Sequence, residues 1–213
     1  MNPKETALVL IGFQNDYFSP DGILYSVIEE SSRNTGILSN TLNLIKQLVS
    51  TDILIVSTPI IFTVDYSELI EPVGILQTIK EVGAFKEGVK GSETILEISN
   101  FGNRIIEVPG KRGLNAFSNT DLDKVFKDRN IKNVVLVGTV TAICIDSTGR
   151  SAHERGYKVV MLRDCTSSRT VLEQDFYCEQ IFPIYAEVMD HEHFLMSFPP
   201  EADPPLAEGE IYQ

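Results

Sequence analysis

The sequence predicts an α/β fold, a three-layer α/β/α sandwich around a mainly parallel sheet. Short runs rich in Val, Ile and Leu recur along the chain, stretches with helical spacing of apolar residues separate them, and the separations suit crossovers rather than hairpins.

Residues 7–13 (ALVLIGF) are apolar on both faces, as a strand in the middle of a sheet must be. Residues 34–49 place Ile37, Leu38, Leu42, Leu44, Ile45 and Leu48 on one broad helical stripe. A second strand follows at 53–57 (ILIVS) and a third at 104–108 (RIIEV). Leu122, Val125 and Phe126 give 121–128 a helical face; 134–138 (VVLVG) is a fourth strand, 142–155 a helix, 158–162 (KVVML) a fifth strand and 173–189 a last helix. Between the second and third strands, Pro72, Gly74, Gly83, Gly88 and Gly91 break residues 63–91 into short pieces, which suits a lid or an interface. Pro199, Pro200, Pro204 and Pro205 leave 199–213 unable to add core, so the organisation is one domain, 1–198, and an acidic tail expected to wrap the surface or a neighbour.

With 30 acidic against 18 basic residues the net charge is -12, which repels phosphate backbones and anionic lipid, so nucleic acid and membrane surfaces are excluded as partners. No apolar run reaches the roughly 18 residues of a membrane span, and the first residues lack a basic segment with a cleavage site, so a cytoplasmic protein is expected. Cys144, Cys165 and Cys178 are widely spaced and form neither a disulfide framework nor a cysteine zinc motif.

Residues 133–162 read strand, tight turn, helix, strand, and put Cys144 at the first turn of the helix. Free amides and the positive end of the helix dipole there favour a thiolate and can hold an oxyanion. Taken alone, such a cysteine is more often a small buried hydrophobe.

The surrounding residues decide for chemistry. GTVTAICIDST resembles the nucleophile turn of the isochorismatase-like cysteine hydrolase superfamily, with Gly138, Thr141, Cys144 and Thr148 in matching places. ALVLIGFQNDYFSPDG resembles that superfamily's first strand and loop, VPGKRGLNAFSNTDL its lysine segment and RGYKVVMLRDCTSS its later strand. The resemblance implies Cys144 as nucleophile, Lys111 beside it, a non-proline cis peptide joining Thr139 and Val140, and an oxyanion hole from the amides of Val140 and Cys144. It also implies a homodimer or homotetramer, no cofactor, and hydrolysis of a small amide, imide or ureide C–N bond through a thioester.

The position of the family's catalytic aspartate, two residues before Gln14, is occupied by Gly12. Loss of a positioned acid–base group costs about 10²–10⁴ in rate. Three readings follow: an impaired hydrolase, a ligand-binding pseudoenzyme, or a deliberately inactivated variant. Restoring the acid with Gly12→Asp is expected to raise turnover while stability changes little or falls. Asp16 is expected to cap the loop rather than to substitute as base.

In the nicotinamidase branch an acid and a histidine ligate a metal where this chain has Ile60 and Phe62, so no metal is expected there. His191 and His193 read as a solvated pair at a helix end, and His153 lies on an exposed helix face. True isochorismatases depend on the aspartate and not on the cysteine, so an amide-type substrate suits this chain better than a vinyl ether. Phe13, Gln14, Phe18, Phe117 and Thr141 are the expected substrate contacts, with Tyr17 as a further wall.

Overall fold

The computed structural model describes residues 1–198. Its strands are β1 (Thr6–Ile11), β2 (Leu54–Ser57), β3 (Ile106–Glu107), β4 (Asn133–Thr139), β5 (Lys158–Ser167) and β6 (Glu187–Met189). They form one sheet in the order β3-β2-β1-β4-β5-β6, with every neighbouring pair parallel. The helices are α1 (Asn15–Phe18), α2 (Tyr25–Thr35), α3 (Ile37–Leu48), α4 (Gly74–Val82), α5 (Leu96–Ser99), α6 (Leu122–Asp128), α7 (Asp146–Glu154), α8 (Val171–Phe176) and α9 (His191–Met196).

Both faces of the central strands are dry, which is why their sequences are continuously apolar. Ala7, Val9, Ile11, Val134 and Leu136 face Leu122 and Phe126 of α6 and Ala152 of α7. Leu8, Leu10, Val135 and Val137 face Ile37, Leu44, Ile45 and Leu48 of α3 and Phe194 of α9. Each such fully buried aliphatic side chain contributes roughly 1.5–3 kcal/mol of transfer free energy. The expected three-layer sandwich with a parallel sheet is therefore the fold observed.

Several element boundaries differ from expectation for identifiable reasons. The helix expected over 34–49 is divided at Gly36, whose φ of 67° caps α2 before α3 begins. The stretch 173–189 is not one helix: α8 passes into a π-turn at Tyr177–Ile181 and a short 3-10 turn at Phe182–Ile184, and the chain then forms β6. Pro183 lacks the amide hydrogen that a continuing helix needs. The third strand shrinks to the two residues Ile106–Glu107 at the sheet edge.

Residues 63–91 are more ordered than their glycines and prolines suggest. They contain α4 and contribute Tyr66, Leu69, Ile79, Ala84 and Phe85 to a third core, shared with Tyr17, Ile28, Ile60, Phe62 and Val140. No helix among the described residues is long and apolar enough to cross a membrane. The acidic tail expected at 199–213 lies outside the described residues.

Candidate active site

The chain leaves β1 toward β2 on one side of the sheet and leaves β4 toward β5 on the other, so the crevice beyond the carboxyl ends of β1 and β4 is the topological switch point where α/β sheets bind ligands. Ile11 and Gly138 pair there. The strands approach so closely that a Cβ on Gly138 would lie 1.8 Å from the Ile11 carbonyl oxygen, so glycine is required.

Beyond Gly138 the peptide joining Thr139 and Val140 is cis. Thr141–Ile145 then form a single π-helical turn that leads into α7. Cys144 thus stands in a turn ahead of α7 and not within its first α-helical turn, a correction to the sequence reading. The Val140 carbonyl accepts hydrogen bonds from the amides of Ile143 (3.0 Å) and Ile145 (3.2 Å), which closes the turn.

Lys111 reaches this turn from the loop after β3. It is only 1% exposed, Cys144 is 6% exposed, and Lys111 Nζ lies 3.7 Å from Cys144 Sγ. Burial pushes the lysine down from its usual range and the neighbouring Cys144 opposes that shift. Among the described residues no carboxylate pairs with Lys111. Thr148 ties the two segments together, since its buried hydroxyl accepts the Ala116 amide at 3.1 Å.

Gly12 lies against the same turn but contributes backbone only. Its φ is +75°, and a Cβ built on it would meet the Thr139 carbonyl oxygen at 2.6 Å and the Thr139 Cγ2 at 3.1 Å. An L side chain is strained in that conformation and the space ahead of it is filled. Restoring an acid at residue 12 therefore requires the backbone to move.

Asp16 is directed to a structural task. It is 3% exposed, and its Oδ2 accepts the Phe85 amide at 2.6 Å, which clamps the 63–91 segment to α1. Tyr17 beside it is 4% exposed and packs on Phe85 with ring centroids 5.1 Å apart. Burial first, then the charges of Cys144 and Asp16, push its phenol up, so it stays protonated.

The remaining expected substrate contacts are engaged elsewhere. The Gln14 side chain donates to the carbonyls of Ile60 (2.9 Å) and Ser92 (2.7 Å) and accepts the Ile60 amide (3.0 Å), bracing three loops. Thr141 turns its hydroxyl to Gln174 Oε1 at 2.6 Å. Phe13 stacks on Phe18 at 5.1 Å at the edge of the core on the α3 side, and Phe117 packs among Phe126 and Tyr157 on the other. Gln174 carries a role the sequence did not assign, and Thr148, matched there only as part of the nucleophile turn, ties that turn to the Lys111 segment. Gln174 had no local signal, since its partner Thr141 is 33 residues away.

Ile60 and Phe62 are buried in the third core, where their apolar side chains offer no ligand atoms. His193 is exposed, but His191 is only 6% exposed, which corrects the expected solvated pair. His191 Nδ1 meets Asp164 Oδ2 at 2.5 Å and its Nε2 faces Asn43 Nδ2 at 3.2 Å. Asp164, Cys165 and His191 bring three potential ligand atoms within 4.8 Å of one another. Both ring nitrogens already have partners, so the cluster acts as an anchor for the start of α9.

The sequence profile of the Isochorismatase domain matches residues 6–193. The isochorismatase family protein YwoC of Bacillus subtilis is 35% identical over 85 residues, which are 40% of this chain and 45% of YwoC, so the match spans about half of that relative. The ureidoacrylate amidohydrolase RutB of Variovorax paradoxus is 26% identical over 215 residues, covering 94% of this chain and 84% of RutB. Among solved structures, a cysteine hydrolase from Pseudomonas syringae pv. phaseolicola superposes with a TM-score of 0.77 at 20% identity, covering 92% of this chain and 93% of that one. At that identity the likeness is one of fold.

Proposed function

The chain belongs to the isochorismatase domain family, and on that premise we propose that it is a cysteine-dependent hydrolase acting on the C–N bond of a small amide, imide or ureide. The observation that carries this reading is the buried pair of Lys111 Nζ and Cys144 Sγ, 3.7 Å apart at the switch point of the sheet. Cys144 attacks the carbonyl carbon to give a thioester, and the amides of Val140 and Cys144 receive the oxyanion. RutB, which is named for cleaving a ureidoacrylate, supports a ureide-like substrate. No cofactor or metal takes part in this reading. The missing carboxylate at Gly12 makes the enzyme slow.

Gly12 also favours a second reading, a pseudoenzyme that binds its ligand without turnover, because the space an acid needs is filled by the Thr139 carbonyl. A panel of small amides, imides and ureides, assayed for amine or ammonia release with the protein and with its Gly12→Asp variant, separates the two. Hydrolysis by the protein, or its appearance in the folded variant, supports the hydrolase. A ligand that binds both proteins and is cleaved by neither supports the pseudoenzyme.

We place the contact of a homodimer or homotetramer on residues 63–91, where Val64, Ile70 and Val73 are 66%, 85% and 79% exposed.

A further inference from the structure

We propose that Lys111 and Cys144 form a self-contained dyad that shares one proton, with Lys111 Nζ rather than any carboxylate taking the thiol proton and delivering it to the leaving nitrogen. This rests on the hydrolase reading above and specifies how the site works without an acid at residue 12.

Lys111 is 1% exposed, and the only hydrogen bond of its Nζ among the described residues is to Cys144. A buried ammonium without a counter-ion is strongly disfavoured, and so is a buried thiolate without one. With a carboxylate at residue 12, lysine and acid would balance each other and the thiol would keep its proton. Gly12 removes that partner, and the +75° φ with the Thr139 carbonyl at 2.6 Å from its Cβ position leaves no room for another. The two net-neutral states left to the pair are amine beside thiol and ammonium beside thiolate, which differ by one proton moved across 3.7 Å.

Asp16 does not disturb this balance, since its carboxylate is held at the Phe85 amide. Tyr17, whose phenol burial pushes up, is neutral. Arg112, next to the lysine in sequence, turns outward to Glu68 at 3.3 Å.

Each step then closes on the chain's own atoms. The amine takes the thiol proton, and the sulfur forms the C–S bond as the carbonyl electrons move to oxygen. When the carbonyl reforms, the C–N bond breaks and its electron pair stays on nitrogen, which takes the proton from Nζ. Lys111, neutral again, accepts a proton from water as the resulting hydroxide attacks the thioester. The C–S bond breaks, the carboxylic acid leaves, and thiolate and ammonium are restored.

The test needs no substrate in its first arm. Alkylation of Cys144 by iodoacetamide, followed by peptide mass spectrometry between pH 6 and 8, is expected to change by no more than about two-fold in the unaltered protein. An unassisted thiol falls about ten-fold per pH unit below its titration, and Lys111→Met is expected to show that fall. If the unaltered protein shows it too, the shared proton is overturned. The second arm compares turnover of any amide the protein cleaves with that of Lys111→Arg, which keeps the charge but does not release a proton at these pH values. A loss of about 10²-fold or more, with alkylation still flat, is expected. Retained turnover overturns proton delivery by Lys111. Flat alkylation together with no cleavage of any amide leaves the shared proton standing and removes the hydrolase reading instead.

Discussion

Strands β1 and β4 run side by side from the Thr6–Asn133 pair to the Ile11–Gly138 pair, yet the turns that leave them are built for different ends. The turn after β4 is elaborately held: Thr139 Oγ1 donates to the Ser167 carbonyl at 3.0 Å, Thr141 bonds Gln174, and Lys111 meets Cys144. The turn after β1 is held as well, by Gln14 on the backbone of Ile60 and Ser92 and by Asp16 on the Phe85 amide, but toward Thr139 it presents only the backbone of Gly12. On the proposed reading, the turn after β4 brings together the groups for both attack and proton transfer, while residue 12 has no space for the side chain of an acid.

The sharpest way to break that comparison is to remove the nucleophile. Cys144→Ala is expected to lower turnover at least about 10³-fold, measured as product release at saturating amide. Residual activity near that of the unaltered protein would assign catalysis to other groups.

Next in size is the contrast among the thiols. Burial, and then the charge of Asp164, push Cys165 up, and burial pushes Cys178 up to about 12. Both therefore stay protonated at neutral pH, and each is expected to be alkylated at least about 10²-fold more slowly than Cys144. Peptide mapping after limited iodoacetamide treatment reads the ratio, and preferential labelling of Cys165 or Cys178 contradicts it.

Gly12→Ala probes the other turn. Strain at positive φ and the contact with Thr139 are expected to destabilise the fold by about 1–3 kcal/mol, read from urea midpoints. An unchanged midpoint would mean that the backbone at residue 12 readily adopts the conformation an aspartate needs. Thr141→Val is expected to cost somewhat less, about 1–2 kcal/mol, because it leaves Gln174 Oε1 buried without its donor. A neutral result in the same denaturation series would show that this bond does not hold the turn.

The central strands were legible because burial on both faces demands unbroken apolar runs, and Gly12, Lys111 and Cys144 stood out through resemblance. What the sequence hid has physical causes. β6 is three residues long and follows a π-turn within what reads as a helical stretch, and α2 buries only Ile28 and Ser31, too few to mark a stripe. Gln14 and Thr141 looked available for substrate because their partners, at Ile60, Ser92 and Gln174, are 33 or more residues away. The closure at residue 12 depends on φ and on a carbonyl from a different strand, neither of which has a local signature.

The most direct measurement of the hydrolase reading is to mix the protein with each small amide or ureide of the panel, quench in acid within the first turnover, and weigh the peptide that contains Cys144. The expected result is an added acyl mass on Cys144 that decays as free acid appears and is absent from Cys144→Ala. A compound that demonstrably binds beside Cys144, yet gives neither adduct nor product under any condition, would contradict it.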